Sequence, residues 1–99
     1  MTGEFIDLEA EGICLSVDPA VGHIASLVVT RDGRSLSSLH RAPWIGEDLA
    51  PDTDPHLARL SGDFLCAPFG ASDVEKAPSH GWPANAPWRP LGYAPGYAR

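Results

Sequence analysis

The sequence has few cysteines, few basic residues and no long apolar run. These are the features of disulfide-rich or zinc-binding proteins, of nucleic-acid-binding proteins and of membrane proteins, respectively. Its 99 residues include only two cysteines, Cys14 and Cys66, without the paired spacing of a zinc site or the density of a disulfide scaffold. Its seven Lys and Arg residues are scattered, against 13 Asp and Glu residues. It contains no apolar run near the length of a membrane span. We therefore expect a chain that binds neither nucleic acid nor a membrane.

The amino terminus also lacks the features of a secretory leader. Residues Met1-Thr2-Gly3-Glu4 have neither a basic start nor an apolar core. Few cysteines and no leader are typical of a protein in a reducing compartment, so we predict a cytoplasmic location. Two free thiols are favoured there over the alternative, a disulfide between Cys14 and Cys66.

The first 39 residues carry the alternation and turn chemistry of an antiparallel β-meander. The pattern predicts strands over residues 5–10, 13–17, 23–30 and 35–39. A turn at Asp18-Pro19-Ala20-Val21-Gly22 reverses the chain, because Pro presets its own φ and Gly tolerates a positive φ. The pair Asp32-Gly33 predicts the hairpin before the fourth strand.

Most of the ten prolines and ten glycines lie beyond residue 40, where we predict long connections and no helix. We expect one partial domain over residues 1–99, divided into a β-meander at 1–39, an acidic surface connection at 40–61, a pocket-forming segment at 62–88 and an irregular tail at 89–99. One more strand is predicted over residues 62–66. The predicted fold is all-β, an antiparallel sandwich present only in part, which should self-associate through an uncovered apolar sheet face.

The segment 62–88 carries the side chains of a predicted ligand site. His80 and Asn85 supply oriented hydrogen-bond partners, and Phe69 and Trp82 supply apolar surfaces, in a loop stiffened by Pro and Gly. A flat polar ligand such as a sugar suits that combination, so these four residues are the candidate sugar contacts.

Each candidate in this loop has a purely structural alternative. The His80 ring could bond to loop backbone, and Asn85 could satisfy its own turn. Trp82 and Trp88 could stack on a sugar or cover the edge of a core.

The order of these features resembles the amino-terminal part of the aldose 1-epimerase (galactose mutarotase-like) family. The matching elements are the opening strands, the turn at 18–22, the strand ending at Asp32-Gly33-Arg34, and the segment Gly62–Gly70 followed by Pro78-Ser79-His80-Gly81-Trp82. The resemblance covers roughly residues 5–88.

The resemblance implies a β-sandwich isomerase that interconverts the α and β anomers of free aldoses by acid–base chemistry, without cofactor or metal. His80 matches the histidine of the family's His-Gly motif, which contacts the sugar near its ring oxygen, so a catalytic role for His80 is implied. Two departures stand out. The segment 66–70 lacks the arginine that many members carry before this motif, and the family's second histidine and catalytic glutamate would lie beyond residue 99.

We therefore expect the amino-terminal part of an aldose 1-epimerase-like enzyme of carbohydrate metabolism, unable to exchange anomers as these 99 residues alone. Asp63, Asp73 and Glu75 are the carboxylates that could act as its base, and their spacing favours none of them. A non-catalytic carbohydrate-binding or regulatory protein of the same fold is the alternative. The stretch 52–56 contains metal-capable side chains but fits neither an EF-hand nor a zinc motif.

Overall fold

The computed structural model describes residues 5–94 and 97–98 of the chain. Its main element is a four-stranded antiparallel sheet with the strands in chain order, namely β1 (Ile6–Ala10), β2 (Ile13–Asp18), β3 (His23–Arg31) and β4 (Arg34–Ser37). The four predicted strand positions are confirmed. So is the hairpin at Asp32-Gly33, where both residues take positive φ angles of 52° and 74°. The described chain is mostly β.

The hairpin of β2 and β3 carries a bulge that shapes its closed end. The two strands pair regularly as far as Ser16 with Ser26, and the register then shifts so that Asp18 lies opposite His23. The turn between them is held by the backbone N–H of Gly22, which donates to the Asp18 carbonyl at 2.8 Å. Asp18 and His23 are both almost completely inaccessible to solvent. This end of the sheet is therefore the buried end.

Two short helical turns correct the expectation that the chain contains no helix. They are α1 (Pro55–Ala58) and a single 3₁₀ turn (Trp82–Ala84), each with a proline in its first two positions. Proline suits the start of a helix because its missing N–H would be unpaired there anyway. Three or four residues are too few to produce a helical period in a sequence, so the pattern did not indicate them.

The strand predicted over residues 62–66 is wrong. Only Asp63 pairs with the sheet, by two backbone hydrogen bonds to Ile24 of β3. Gly62 enters this bridge with a φ of 56°, and Pro68 has no N–H to extend a ladder. The predicted irregular tail likewise differs, because β5 (Tyr93–Ala94) pairs with β6 (Tyr97–Ala98).

The acidic connection at 40–61 is more than a surface loop. Its ends meet in a bridge between Arg41 and Ser61, and α1 lies between them. His56 on α1 is buried, and Arg59 reaches the turn after β2. The residues that we expected at the surface therefore supply part of the interior.

The interior is more polar than the composition suggests. Its buried apolar residues are small, namely Val21, Ala25, Ala42 and Ala84. The buried polar residues are Asp18, His23, His56, Ser61 and Asn85. Close packing in this part of the molecule consequently depends on satisfied hydrogen bonds as much as on apolar contact.

An apolar row lies open on the sheet. Ile13, Val29 and Leu36 are paired neighbours across β2, β3 and β4, and each is exposed to solvent. No element of the described chain covers this row. Among the described residues, no helix is both long and apolar enough to cross a membrane.

Candidate functional site

Three histidines from three separate elements gather around Phe64, and we call His23, His56 and His80 the histidine cluster. The ring of His23, from β3, is stacked on Phe64 with 4.4 Å between ring centroids. The ring of His80 meets Phe64 edge-on at 5.6 Å and meets His56 edge-on at 4.8 Å. The fold thus brings together side chains that are separated by 57 residues of sequence, from position 23 to position 80.

His23 is the buried member of the cluster. Its Nε2 lies 3.1 Å from the carbonyl oxygen of Ala84, so Nε2 carries the proton and donates it. Its Nδ1 has no hydrogen-bond partner within the described residues. Burial lowers the pKa of His23 from its ordinary value of 6.5, and the Ala84 carbonyl opposes that shift only in part. His23 is therefore neutral and holds the 3₁₀ turn against β3.

Asn85 determines which ring nitrogen of His56 carries a proton. Its Nδ2 donates to the carbonyl oxygens of Ser79 at 2.8 Å and Gly81 at 2.7 Å, which fixes the orientation of the amide. Its Oδ1 then accepts from both the backbone N–H and the Nδ1 of His56, each at 2.8 Å. Because a carbonyl oxygen only accepts, Nδ1 of His56 carries the proton, and Nε2 is the acceptor in the neutral ring.

These bonds also decide what Asn85 can do. Both amide hydrogens and the amide oxygen are used within the protein, and the residue is buried. Of the two roles weighed from the sequence, the geometry supports the structural one. Asn85 organises the loop instead of presenting its amide to a ligand.

His80 is held in an unusual backbone conformation, with a φ of 70°. Its N–H donates to the carbonyl of Gly70 and its carbonyl accepts from the N–H of Ala67, both at 3.0 Å. The following Gly81 also has a positive φ, and a Cβ there would overlap the Ala67 carbonyl oxygen. The close approach of these two loop segments places Nδ1 of His80 at 3.6 Å from Sγ of Cys66.

An ion pair ties α1 to the buried end of the sheet. Nε of Arg59 donates to Oδ2 of Asp18 at 2.7 Å, and the other carboxylate oxygen accepts from the N–H of Ala20 at 3.1 Å. The Asp18 carboxylate is buried and the Arg59 guanidinium is partly exposed. This pair fixes the segment that carries His56 relative to the strand that carries His23.

The other sequence candidates lie at the surface. Phe69 is 88% exposed and its ring meets His80 edge-on with 6.5 Å between centroids. Trp82, which begins the 3₁₀ turn, is 59% exposed. The structure therefore brings His80, Phe69 and Asn85 together around one loop and leaves Trp82 as an exposed aromatic surface beside it.

A cleft of about 520 Å³ adjoins the cluster and shares Phe64 with it. Its lining consists of Val17, Gly22, Ile24, Asp63, Phe64, Leu65 and Trp88. The Trp88 indole lies directly against Gly22, where a Cβ would overlap the ring. Trp88 is anchored by two hydrogen bonds. Its indole Nε1 donates to the carbonyl of Pro83 at 2.8 Å, and its backbone N–H donates to the carbonyl of Pro19 at 2.7 Å. The cleft thus has a fixed indole wall and is also lined by the acidic residue Asp63, which is exposed.

His23 was not among the site residues that the sequence pattern indicated. A histidine directly after the turn glycine, at the start of the most apolar strand, was a usable signal, since a polar ring in such a place must find a buried partner. In the sequence, His56 stands out only as part of the stretch 52–56 with metal-capable side chains. Within the described ranges, no three His, Cys, Asp or Glu side chains are grouped so as to hold a metal ion.

The geometry does not pair His80 with an acid. In the described part of the chain, the hydrogen-bond partner of its ring is the Cys66 thiol. The nearest carboxylate contact in the cluster belongs to His56, whose Nδ1 is 3.9 Å from Oδ2 of Asp54. The arrangement can orient a hydrogen bond or relay a proton at sulfur, but it lacks a histidine–carboxylate pair at His80.

The chain was compared with family models, curated proteins and solved structures, and nothing in any of the three comparisons matches it.

Proposed function

We propose that this chain is a carbohydrate-binding segment that holds a free aldose in the cleft against Trp88 and does not exchange anomers by itself. The observation that carries the proposal is the pairing of an anchored indole with an exposed acidic residue, Asp63, in one cleft of about 520 Å³. A cleft of that size accommodates a monosaccharide.

The reason is the shape of a sugar ring. A pyranose has an apolar face of C–H groups and a rim of hydroxyls, so it binds best where an aromatic plate meets a hydrogen-bond acceptor. Trp88 supplies the plate, and its position is set before binding by hydrogen bonds to Pro83 and Pro19. Asp63 supplies carboxylate oxygens for the hydroxyl hydrogens. Preorganisation lowers the entropic cost of binding.

His80 remains the predicted contact to the sugar ring oxygen. Phe64 links it to the cleft, because the Phe64 ring both lines the cleft and lies 5.6 Å from the His80 ring. Phe69 and Trp82 extend the aromatic surface on the His80 side of the site. Asn85 contributes by holding the loop and His56 in place.

The fold that goes with this proposal is a galactose mutarotase-like sandwich, present in part. The uncovered row of Ile13, Val29 and Leu36 supports it, since a second sheet would cover such a row. The alternative function is the front portion of an aldose 1-epimerase-like isomerase. Binding without catalysis is favoured because anomer exchange needs a base and an acid, and His80 is bonded to a thiol.

Sugar binding can be tested by saturation-transfer NMR on the purified chain with glucose and galactose as separate probes. We expect transfer to at least one aldose, and about a tenfold loss of affinity in Trp88→Ala. Asp63→Asn, which keeps the shape of the side chain, should weaken binding as well. Trp44→Phe is the matched control, because Trp44 lines a different depression together with Leu57. Absence of transfer to both sugars, or equal affinity in Trp88→Ala, would overturn the proposal.

Catalysis is tested separately by polarimetry. The purified chain should leave the rate of anomer equilibration of freshly dissolved glucose or galactose unchanged. Acceleration that is lost in His80→Asn would overturn the non-catalytic part of the proposal and select the isomerase.

A further inference from the structure

We propose that Cys66 is a nucleophilic thiol served by His80, and that it undergoes exchange with small disulfides to form a mixed disulfide. The proposal goes beyond sugar binding and does not depend on it. Its basis is the 3.6 Å separation of Sγ of Cys66 and Nδ1 of His80, which places a nucleophile and a base within hydrogen-bonding reach.

The pair is prearranged by the fold. The two backbone hydrogen bonds of His80, to Gly70 and Ala67, bind the histidine to the segment that carries Cys66. The ring of His80 is supported by His56, which stands edge-on to it at 4.8 Å and is itself held by Asn85. A base held beside its nucleophile is the arrangement found in activated nucleophiles.

Both members of the pair are accessible enough to react. Cys66 is a free thiol, and Cys66 and His80 are each partly exposed. A small uncharged disulfide suits this position better than an anionic one, because the chain carries a net charge of −6.

The exchange balances with the disulfide as the sole co-reactant. His80 takes the proton from the Cys66 thiol, and the thiolate attacks one sulfur of the disulfide. The new S–S bond forms as the old one breaks, and the departing thiolate takes the proton back from His80. Cys66 is oxidised to the mixed disulfide, and half of the small disulfide is reduced to a thiol.

Cys14 is an internal control. It is also a free and partly exposed thiol, but in the sheet it lies opposite Glu9 and Val28 instead of a histidine. Any general effect of exposure or of the reagent acts on both cysteines. A difference in rate between them reports the surroundings of the sulfur.

The first experiment uses the unmodified chain and hydroxyethyl disulfide, with peptide mass spectrometry to follow each cysteine. We expect Cys66 to react about tenfold faster than Cys14 or more. Equal rates, or a faster Cys14, would overturn the proposal. This comparison requires no variant and so does not depend on whether a substitution folds.

The second experiment compares the unmodified chain with His80→Asn, chosen because Asn tolerates the left-handed backbone conformation. The variant should slow the reaction of Cys66 by about tenfold and leave Cys14 unchanged. It should also slow exchange with dithiodipyridine, because the Cys66 thiolate must form with either disulfide, although that leaving thiol departs without a proton from His80. An unchanged rate for Cys66 with both disulfides, or equal slowing of Cys14, would overturn the proposal.

Discussion

Nε of Arg59 donates a 2.7 Å hydrogen bond to Oδ2 of Asp18, joining two residues that are 41 positions apart in the chain. The carboxylate is only 2% exposed. This bond connects the acidic segment to the turn between β2 and β3, and thereby sets where α1 and His56 lie. The arrangement of the histidine cluster depends on it.

Removing the Arg59 side chain should therefore lower the free energy of unfolding by more than removing one partner of a surface ion pair would. We expect Arg59→Ala to lower the free energy of unfolding by about 3 kcal/mol, because it leaves a buried carboxylate without its partner. Urea unfolding followed by circular dichroism measures this. Arg31→Ala is the control, since Arg31 and Asp32 are 3.8 Å apart and almost fully exposed, and it should have no measurable effect. Similar losses in the two variants would contradict the prediction.

Asn85 should tolerate neither truncation nor an isosteric acid. We expect Asn85→Ala to destabilise the fold by about 3 kcal/mol, because its partners on two segments, Ser79 and Gly81 in the loop and His56 on α1, lose their hydrogen bonds. Asn85→Asp should also be destabilising, since it would place an acceptor oxygen against the carbonyls of Ser79 and Gly81. Urea midpoints compare the three proteins, and an aspartate variant as stable as the parent would show that the amide orientation given above is incorrect.

His23 should make stability depend on pH. Its pKa is lowered in the folded state by burial, so the unfolded chain binds a proton more readily. The contribution of neutral His23 is complete above the unfolded value of 6.5 and is lost as the pH falls from there through the folded pKa. The thermal midpoint should thus fall on acidification, and His23→Gln should flatten that fall. A variant with an unchanged pH slope would contradict the assignment.

Glycines with similar φ angles should differ in their tolerance of a side chain. At Gly62 a Cβ would overlap the carbonyl oxygen of Ile24, whereas at Gly33 nothing lies within 4 Å. Gly33→Ala should cost about 1 kcal/mol from its backbone conformation alone. Gly62→Ala should cost several-fold more, because the bridge between Ile24 and Asp63 must separate. Chemical denaturation of the two variants tests this, and equal losses would count against the close approach.

The open apolar row on the sheet should drive self-association. We expect concentration-dependent oligomers in sedimentation velocity, reduced in Leu36→Lys, because a lysine places a charge within the apolar row. Leu91→Lys is the control, since Leu91 is 68% exposed and Leu36 is 66% exposed, but Leu91 lies outside the row. A parent protein that stays monomeric at all concentrations would contradict this prediction.

The sequence by itself determined the β-meander of residues 6–37. Strand alternation and the chemistry of the turns at 18–22 and 32–33 depend on residues close together in the chain. These strands and turns can therefore be predicted from short stretches of the sequence. The same local chemistry singled out the loop around His80. It did not indicate α1 or the 3₁₀ turn, because such short helices have no period to read.

Only the tertiary structure decided how the site is built. His23 bonds to Ala84 across 61 positions, and His56 bonds to Asn85 across 29. A buried polar side chain takes whichever carbonyl or amide the folded backbone leaves unpaired beside it, and that choice has no pattern in the sequence. The sequence shows where each histidine is, but packing determines which ring nitrogen carries the proton, which group it bonds to and how exposed the ring is.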